Sequence, residues 1–291
     1  MTEPQTFFIT GTSRGMGTDF ARAALDAGHH VVATGRDPER VLAAVGQQDE
    51  AVVGQHEELL AVALDVTDER TVRSAVDAAI ERFGRIDVLV NNAGSFQGGF
   101  FEEVSPEQFR AQMETNFFGA LNVTRAVLPV MRAQGSGRVI SISSTAGIVA
   151  GAGGSAYAAS KFALEGWMEA LHDEVMPFGI HTTVVEPGFF RTDLLAEGSS
   201  TFWGDVHLDD YRSSSDQTKE FFRGMEGKQS GDPVKLARTL LALTEMSEPP
   251  VRLVAGADSV AGVLRKAQQL DEQARAFPEL TSSLDLDDQQ R

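Results

Sequence analysis

Short apolar runs alternate with helix-spaced apolar positions along most of the chain. The run at residues 7–10 stops at Gly11, and beyond a glycine-rich turn Phe20, Ala21, Ala24 and Leu25 recur on one helical face. A second run at 31–33 precedes Asp37-Pro38, which reads as an N-cap followed by proline at the first helical position. Runs at 60–64 and 86–90 end in polar turns, the first at Asp65 ahead of a helix start at Thr67-x-x-Arg70, the second at Asn91-Asn92-Ala93-Gly94. Runs at 138–142 and 182–185 each follow a long helical pattern, and 251–254 supplies a last strand.

Seven such runs alternating with helices predict right-handed crossovers and a parallel sheet with helices on both faces. The fold class expected is α/β: a single doubly wound Rossmann domain over residues 1–291, on a seven-stranded parallel sheet. Its ligand groups should lie at the carboxyl ends of the strands, where the polar turns fall. The alternation breaks from Phe189 to about Asp232, where Gly198 to Thr201 and the serines at 213–215 interleave with Phe202, Trp203, Tyr211, Phe221 and Phe222. So long an aromatic-bearing insertion is expected to form a substrate-facing lid at 189–232, with one or two surface helices capping the core as the plainer alternative. No internal repeat is found, and the acidic tail at 282–291 is expected to fray.

Composition narrows the partners. With 42% hydrophobic and 23% charged residues the chain has ample material for one core. A formal charge of -17 opposes general affinity for nucleic acid or acidic membrane surfaces, so anionic ligands need dedicated arginines. The absence of cysteine excludes disulfides, thiolate catalysis and Cys-ligated metal, and fits a reducing compartment. No signal peptide or membrane span is legible, so the default expectation is a cytoplasmic protein. None of the six histidines has a carboxylate or second histidine at ligand spacing, so no metal site is expected.

The candidate chemistry centres on Tyr157 and Lys161, four residues apart in an alanine-rich helical stretch and therefore on one face. A phenol with a pKa of about 10 is a poor acid or base near neutrality, and an adjacent ammonium that stabilises the phenolate makes it useful. Alone, the pair is more simply read as a packed tyrosine and a solvated lysine. The turn from Thr10 to Gly17 adds a second element. Where a strand passes into a helix, backbone N–H groups and the helix N-terminus can hold a pyrophosphate. One glycine makes the turn, and the others allow close phosphate and helix–sheet approach.

Together with Asp65-Val66, Asn91-Asn92-Ala93-Gly94, Asn116, Ser143-Ser144, Tyr157-x-x-x-Lys161 and Pro187-Gly188 with Thr192, this turn makes the chain resemble the short-chain dehydrogenase/reductase family over nearly its whole length. The resemblance implies that Tyr157 protonates the oxygen of a ketone or aldehyde during hydride transfer. It implies that Lys161 lies beneath Tyr157, bonds the nicotinamide ribose and lowers the phenol pKa together with the oxidised nicotinamide. The family's spacing to the tyrosine selects Ser144 over Ser143 to orient the carbonyl oxygen, and Asn116 is implied to hold a water linking Lys161 to solvent. For the cofactor, the resemblance implies Gly11, Ser13, Arg14, Gly15, Met16 and Gly17 at the phosphates, and Asp65 and Val66 beside the adenine. Asn92, Ala93 and Gly94 are implied to pass beside the ribose, with Pro187, Gly188, Phe189 and Thr192 at the carboxamide end. Asp65 has a structural alternative as a helix cap.

At the end of the second strand, where an NAD-specific enzyme usually carries an acidic side chain, stands Gly35, followed by Arg36. Arg14 and Arg36 could converge on a 2′-phosphate, which favours NADP(H) over NAD(H); Asp37 is read as the cap before Pro38. Substrate walls are expected from Ser95, Phe96, Gln97 and Phe100, from Ile148 to Gly154 with Gly151 leaving space beside the tyrosine, and from Phe189, Phe190 and the insertion, all beside Ser144 and Tyr157. Mostly apolar or small, they favour a small hydrophobic carbonyl or alcohol, and the chain is loosely similar to the steroid- and retinol-dehydrogenase-like branch. Alternatives are a 3-oxoacyl reductase, whose acidic carrier the negative charge would repel, and an NADP(H)-binding regulator without turnover. The family commonly pairs through the helices of Asn116 and Tyr157, so a homodimer or homotetramer is expected, with Phe162, Leu164, Trp167 and Leu171 serving that interface or the core.

Overall fold

The computed structural model describes residues 3–46, 57–196, 199–282 and 284. Along the chain run β1 (Thr6–Thr10), α1 (Met16–Asp26), β2 (His30–Gly35), α2 (Pro38–Val45), β3 (Leu59–Ala63), α3 (Glu69–Phe83) and β4 (Val88–Asn91). There follow β5 (Phe96–Gly98), α4 (Pro106–Met113), a π-helical turn (Glu114–Phe118), α5 (Gly119–Gln134), β6 (Gly137–Ile142), α6 (Ser155–Val175) and β7 (Ile180–Pro187). The last part holds β8 (Thr201–Trp203), α7 (Arg212–Met225), α8 (Pro233–Glu245), β9 (Arg252–Ala255), α9 (Ala257–Arg275) and α10 (Pro278–Ser282).

The seven expected strands form one sheet in the order β3-β2-β1-β4-β6-β7-β9, every neighbour parallel. Side chains alternate across it with the period of a strand. Phe8 and Val32 pack with residues of α3, α5 and α6, whereas Phe7, Ile9 and Val31 pack with residues of α1, α2 and α8. Each fully buried side chain of this kind contributes about 1.5–3 kcal/mol, so the two layers make the sheet a fixed platform. Strand order reverses between β1 and β4, which opens a crevice above their carboxyl ends.

Local signals explain the joints. Asp37 accepts from the N–H of Glu39 at 3.0 Å and of Arg40 at 3.3 Å, with Pro38 opening α2 as its sequence predicts. Helix α3 is capped by Asp68 and not by Asp65, whose Oδ1 instead accepts from the backbone and hydroxyl of Thr67 and tightens the turn. Two short strands lie outside the alternation: β5 and β8 pair in parallel, Phe96 with Thr201 and Gly98 with Trp203. At three residues each they are too short to show a period. The insertion at 189–232 thus carries a strand and a helix, β8 and α7. Gly198 and the end of the expected frayed tail, residues 285–291, lie outside the described residues. Among the described residues no helix is long and apolar enough to cross a membrane.

Of the residues expected at a core or an interface, Leu164 and Leu171 are core, Trp167 packs against it, and Phe162 remains exposed.

Candidate active site

The crevice between β1 and β4 holds a cavity of about 920 Å³. Its floor is backbone pressed on backbone. Gly11 has φ +71°, and a Cβ there would stand 2.9 Å from Ala93 Cα; a Cβ on Gly17 would stand 2.3 Å from Gly11 O and 2.5 Å from Asn92 Nδ2. Only glycine fits either place. Asn92 Nδ2 donates to Thr10 O at 2.9 Å and Gly11 O at 3.1 Å, and Thr10 Oγ1 accepts from the N–H groups of Asn92 and Ala93. At the start of α1, Gly15 offers no side-chain cap, so the helix N-terminus is left to face an anion. This cradle fits a dinucleotide pyrophosphate.

Around the cavity stand Gly11, Ser13, Arg14, Gly15, Met16, Arg36, Asp65, Val66, Asn92, Ala93, Gly94 and Thr192, together with Tyr157 and Lys161. Four residues expected at the cofactor, Gly17, Pro187, Gly188 and Phe189, are not on its wall; Gly17 acts from below as the contact that shapes the turn. A Cβ on Gly35 would stand 2.8 Å from Val41 Cγ2, so packing leaves no room for an acidic side chain at that position. Arg14 Nη2 donates to the Ser200 hydroxyl at 2.8 Å, which ties the phosphate turn to the insertion.

Tyr157 and Lys161 enter from the first turns of α6. Lys161 Nζ donates to Ile142 O at 2.7 Å and lies 5.7 Å from the Tyr157 ring centroid. Burial lowers the lysine to about 8, opposed by the negative charge of Glu165. Burial also pushes the Tyr157 phenol up, and the Ser144 hydroxyl draws it back. The phenol is thus raised in the free protein rather than depressed, with the ammonium turned to a main-chain carbonyl.

Ser144 lies at the start of the short turn Thr145–Gly147, where its Oγ accepts from Ala146 N at 3.2 Å. Asn116 Nδ2 donates to Ser95 O at 3.0 Å and to Ser160 Oγ at 3.2 Å, and Ser160 Oγ donates to Tyr157 O at 2.7 Å. Asn116 therefore reaches the tyrosine through the backbone of α6, and neither it nor Ser144 lines the cavity. It sits on the π-helical turn, whose extra residue interrupts the helical period; hydrophobic spacing carries no sign of it.

Aromatic rings also gather beside Tyr157, off the cavity wall. Phe96 packs edge-on to Tyr157 at 5.1 Å between centroids and touches Phe222 at 5.1 Å and Trp203 at 6.1 Å. Phe100 stacks on Tyr211, and Phe189 meets Phe221 edge-on. Two expected pocket residues are corrected. Phe190 packs into the core on the α1 and α8 side, its ring 2.6 Å from where a Cβ on Gly231 would be, and Gly151 lies exposed with nothing within 4 Å of such a Cβ.

The cavity wall also includes Ser95 and Gln97, both expected at the substrate walls, and Gln108 and Gln112, which the sequence does not single out. Gln112 Oε1 accepts from Gln97 N at 2.6 Å, and Gln108 Nε2 donates to Trp203 O at 2.9 Å, so two of them fasten β5 and β8 to α4. The capping box Ser105-x-x-Gln108 was the available signal for the last.

The family model described as short chain dehydrogenase matches residues 5–201. Over 275 residues the chain is 38% identical to an oxidoreductase of Botryotinia fuckeliana, covering 94% of this chain and 97% of that one. Over 260 residues it is 35% identical to a 3-ketodihydrosphingosine reductase of Bacteroides thetaiotaomicron, covering 87% of this chain and 88% of the relative. The crystal structure of a short-chain dehydrogenase from Streptomyces avermitilis matches 98% of this chain and 100% of its own, with a TM-score of 0.86 and 35% identity.

Proposed function

The chain belongs to the short-chain dehydrogenase family, oxidoreductases that act on CH–OH and carbonyl groups with a nicotinamide dinucleotide, and from that premise we propose that it is an NADPH-dependent reductase of hydrophobic ketones and aldehydes. The observation that carries this reading is the position of Tyr157, which stands with Lys161 on the dinucleotide cavity and packs against Phe96, the ring that joins Trp203 and Phe222 in one cluster. An apolar wall of that kind selects an apolar substrate.

The bound cofactor supplies hydride to the carbonyl carbon. Tyr157 Oη gives its proton to the oxygen, and Ser144 Oγ donates to the same oxygen and holds it in line. Lys161, once its ammonium turns from Ile142 O toward the site, offsets the burial that raises the phenol. In the oxidation direction Tyr157 accepts the proton. The insertion at 189–232 acts as the lid, with Trp203 and Phe222 as the surfaces that exclude water.

NADPH is the preferred cofactor because Gly35 leaves no carboxylate at the ribose, the Asp37 carboxylate is engaged in its helix cap, and Arg14 and Arg36 stand at the cavity wall. The protein acts in the cytoplasm and pairs through the π-helical turn with α5 and through α6, where Phe118 of the turn and Phe162 of α6 are exposed.

The test is a panel of hydrophobic ketones and aldehydes with each dinucleotide. Carbonyl-dependent oxidation of NADPH is expected, with KM for NADPH about tenfold below that for NADH, as one charge-assisted contact supplies. A clear NADH preference removes the arginine argument. A cofactor-dependent thermal shift without turnover on any substrate makes the protein a dinucleotide-binding regulator instead.

A further inference from the structure

Below the catalytic helix lies a second cluster of buried charge, none of which lines the cavity: Glu165 on α6, Glu186 near the end of β7 and Arg252 at the start of β9. Arg252 Nη1 donates to Glu165 Oε2 and, at 3.0 Å, to Glu186 Oε1, while Nη2 donates to the exposed Glu169 at 2.7 Å. One guanidinium thus answers three carboxylates, two of them with side chains at most 5% exposed. A buried group of this kind is weak as a device for stability, since apolar residues of the same volume commonly do as well. Its placement gives it another use.

Glu165 follows Lys161 by one helical turn, and its charge is the influence that opposes the lowering of the lysine by burial. It also lies under the serine turn. A Cβ on Gly147 would stand 2.7 Å from Ser143 Oγ and 2.9 Å from Glu165 Oε1, so the backbone that follows Ser144 rests directly on the carboxylate. Ser143 Oγ and Glu165 Oε1 are both buried there beside Gly147, and neither has a hydrogen-bond partner in place among the described residues. Burial, ahead of the neighbouring Glu186, pushes Glu165 up to about 7, with Ser143 and Arg252 acting the other way. The groups facing it are therefore Lys161 and Glu169 from its own helix, Ser143 from the end of β6, Glu186 from β7 and Arg252 from β9.

We propose that Glu165 is a positioning residue of the reductase site, its carboxylate clamped by Arg252 so that it keeps Lys161 charged and seats the turn that presents Ser144. The inference rests on the reading of Tyr157, Ser144 and Lys161 as the reacting groups. Ser143, the unselected member of the serine pair, reaches the cavity wall and turns its buried hydroxyl to the seat.

The chain has five lysines, so protein labelled with carbon-13 at the lysine side chains gives a spectrum in which Lys161 is assigned by its loss in Lys161→Met. At pH 8 Glu165, titrating near 7, is largely ionised and favours the ammonium, so removing its charge must lower the lysine. In Glu165→Gln the Lys161 midpoint is expected to fall by about one pH unit. The alkaline limb of kcat for carbonyl reduction should move down with it, while KM for NADPH stays within about twofold, because Glu165 does not reach the cavity. An unmoved midpoint in folded Glu165→Gln protein overturns the inference. Wild-type protein that reduces no carbonyl, in the presence of a shifted midpoint, overturns the functional reading and leaves the influence of Glu165 on Lys161 standing. If the glutamine variant does not fold, Glu165→Asp carries the test: it keeps the charge but withdraws the seat, so kcat should fall about tenfold with the midpoint held, and an unchanged kcat overturns the inference.

Discussion

On the nucleotide side of Tyr157, Gly11, Gly17, Asn92 and Ala93 set backbone against backbone, and the space a ligand would occupy is fixed by contacts that tolerate no added atom. At the Tyr157 ring, Phe96 meets Trp203 and Phe222 as side chains from β5, β8 and α7, with centroids 5.1 to 6.1 Å apart, and the proposed function places substrate there. The first wall is held by main-chain sterics and the sheet, the second by ring packing between separate segments. Damage to the first should therefore be steep and confined to cofactor binding, and damage to the second graded and confined to substrate. Tyr157 belongs to both walls and should show neither pattern.

The largest effect is expected at that shared point. Tyr157→Phe removes the proton donor while keeping the ring against Phe96, so kcat should fall by about 10²–10⁴ with the Kd for NADPH within about twofold. A variant that kept most of its kcat would dissolve the distinction between the walls, because Tyr157 would then be packing alone. Next comes Gly17→Ala. Its methyl collides with Gly11 O and the Asn92 amide, and overpacking of about 1–3 kcal/mol falls on the turn that cradles the phosphates. Calorimetry should show NADPH bound about tenfold to a hundredfold more weakly, and unimpaired binding would mean that the cradle yields. The smallest effect belongs to the ring wall. Trp203→Ala should raise KM for a bulky ketone by about threefold to tenfold, the scale of lost apolar contact, and leave the NADPH Kd unchanged. An equal loss of cofactor affinity would join the two walls into one.

The same contrast explains what could be read from the chain. The platform was legible because strands buried on both faces, as β1, β2, β4, β6 and β7 are, leave short unbroken apolar runs, and the glycine turn because only glycine satisfies Gly11 and Gly17. Asp37 announced its cap through Pro38. Tyr157, Lys161, Ser144 and Asn116 were named from motif order, and their placement follows from α6, the turn after β6 and the π-helical turn. Features that depend on packing between distant segments left no local mark. The β5–β8 pair is too short for a period, and Phe190 looks in sequence like its neighbour Phe189 yet turns into the core. The Glu165–Glu186–Arg252 cluster joins three elements separated by 21 to 87 positions, and its members look like ordinary solvated charges in the sequence.

The central claim is that Tyr157 delivers the proton in a hydride transfer to a carbonyl. It is tested most directly with NADPH deuterated at the nicotinamide carbon that gives up hydride, by following the label into the alcohol formed from a hydrophobic ketone, in the wild type and in Tyr157→Phe. The label is expected at the carbinol carbon with the wild type and to arrive about 10²–10⁴ times more slowly with the variant, both proteins binding NADPH alike. Label transfer at near the wild-type rate in Tyr157→Phe, or a wild type that binds NADPH and passes its label to no carbonyl, would contradict the account.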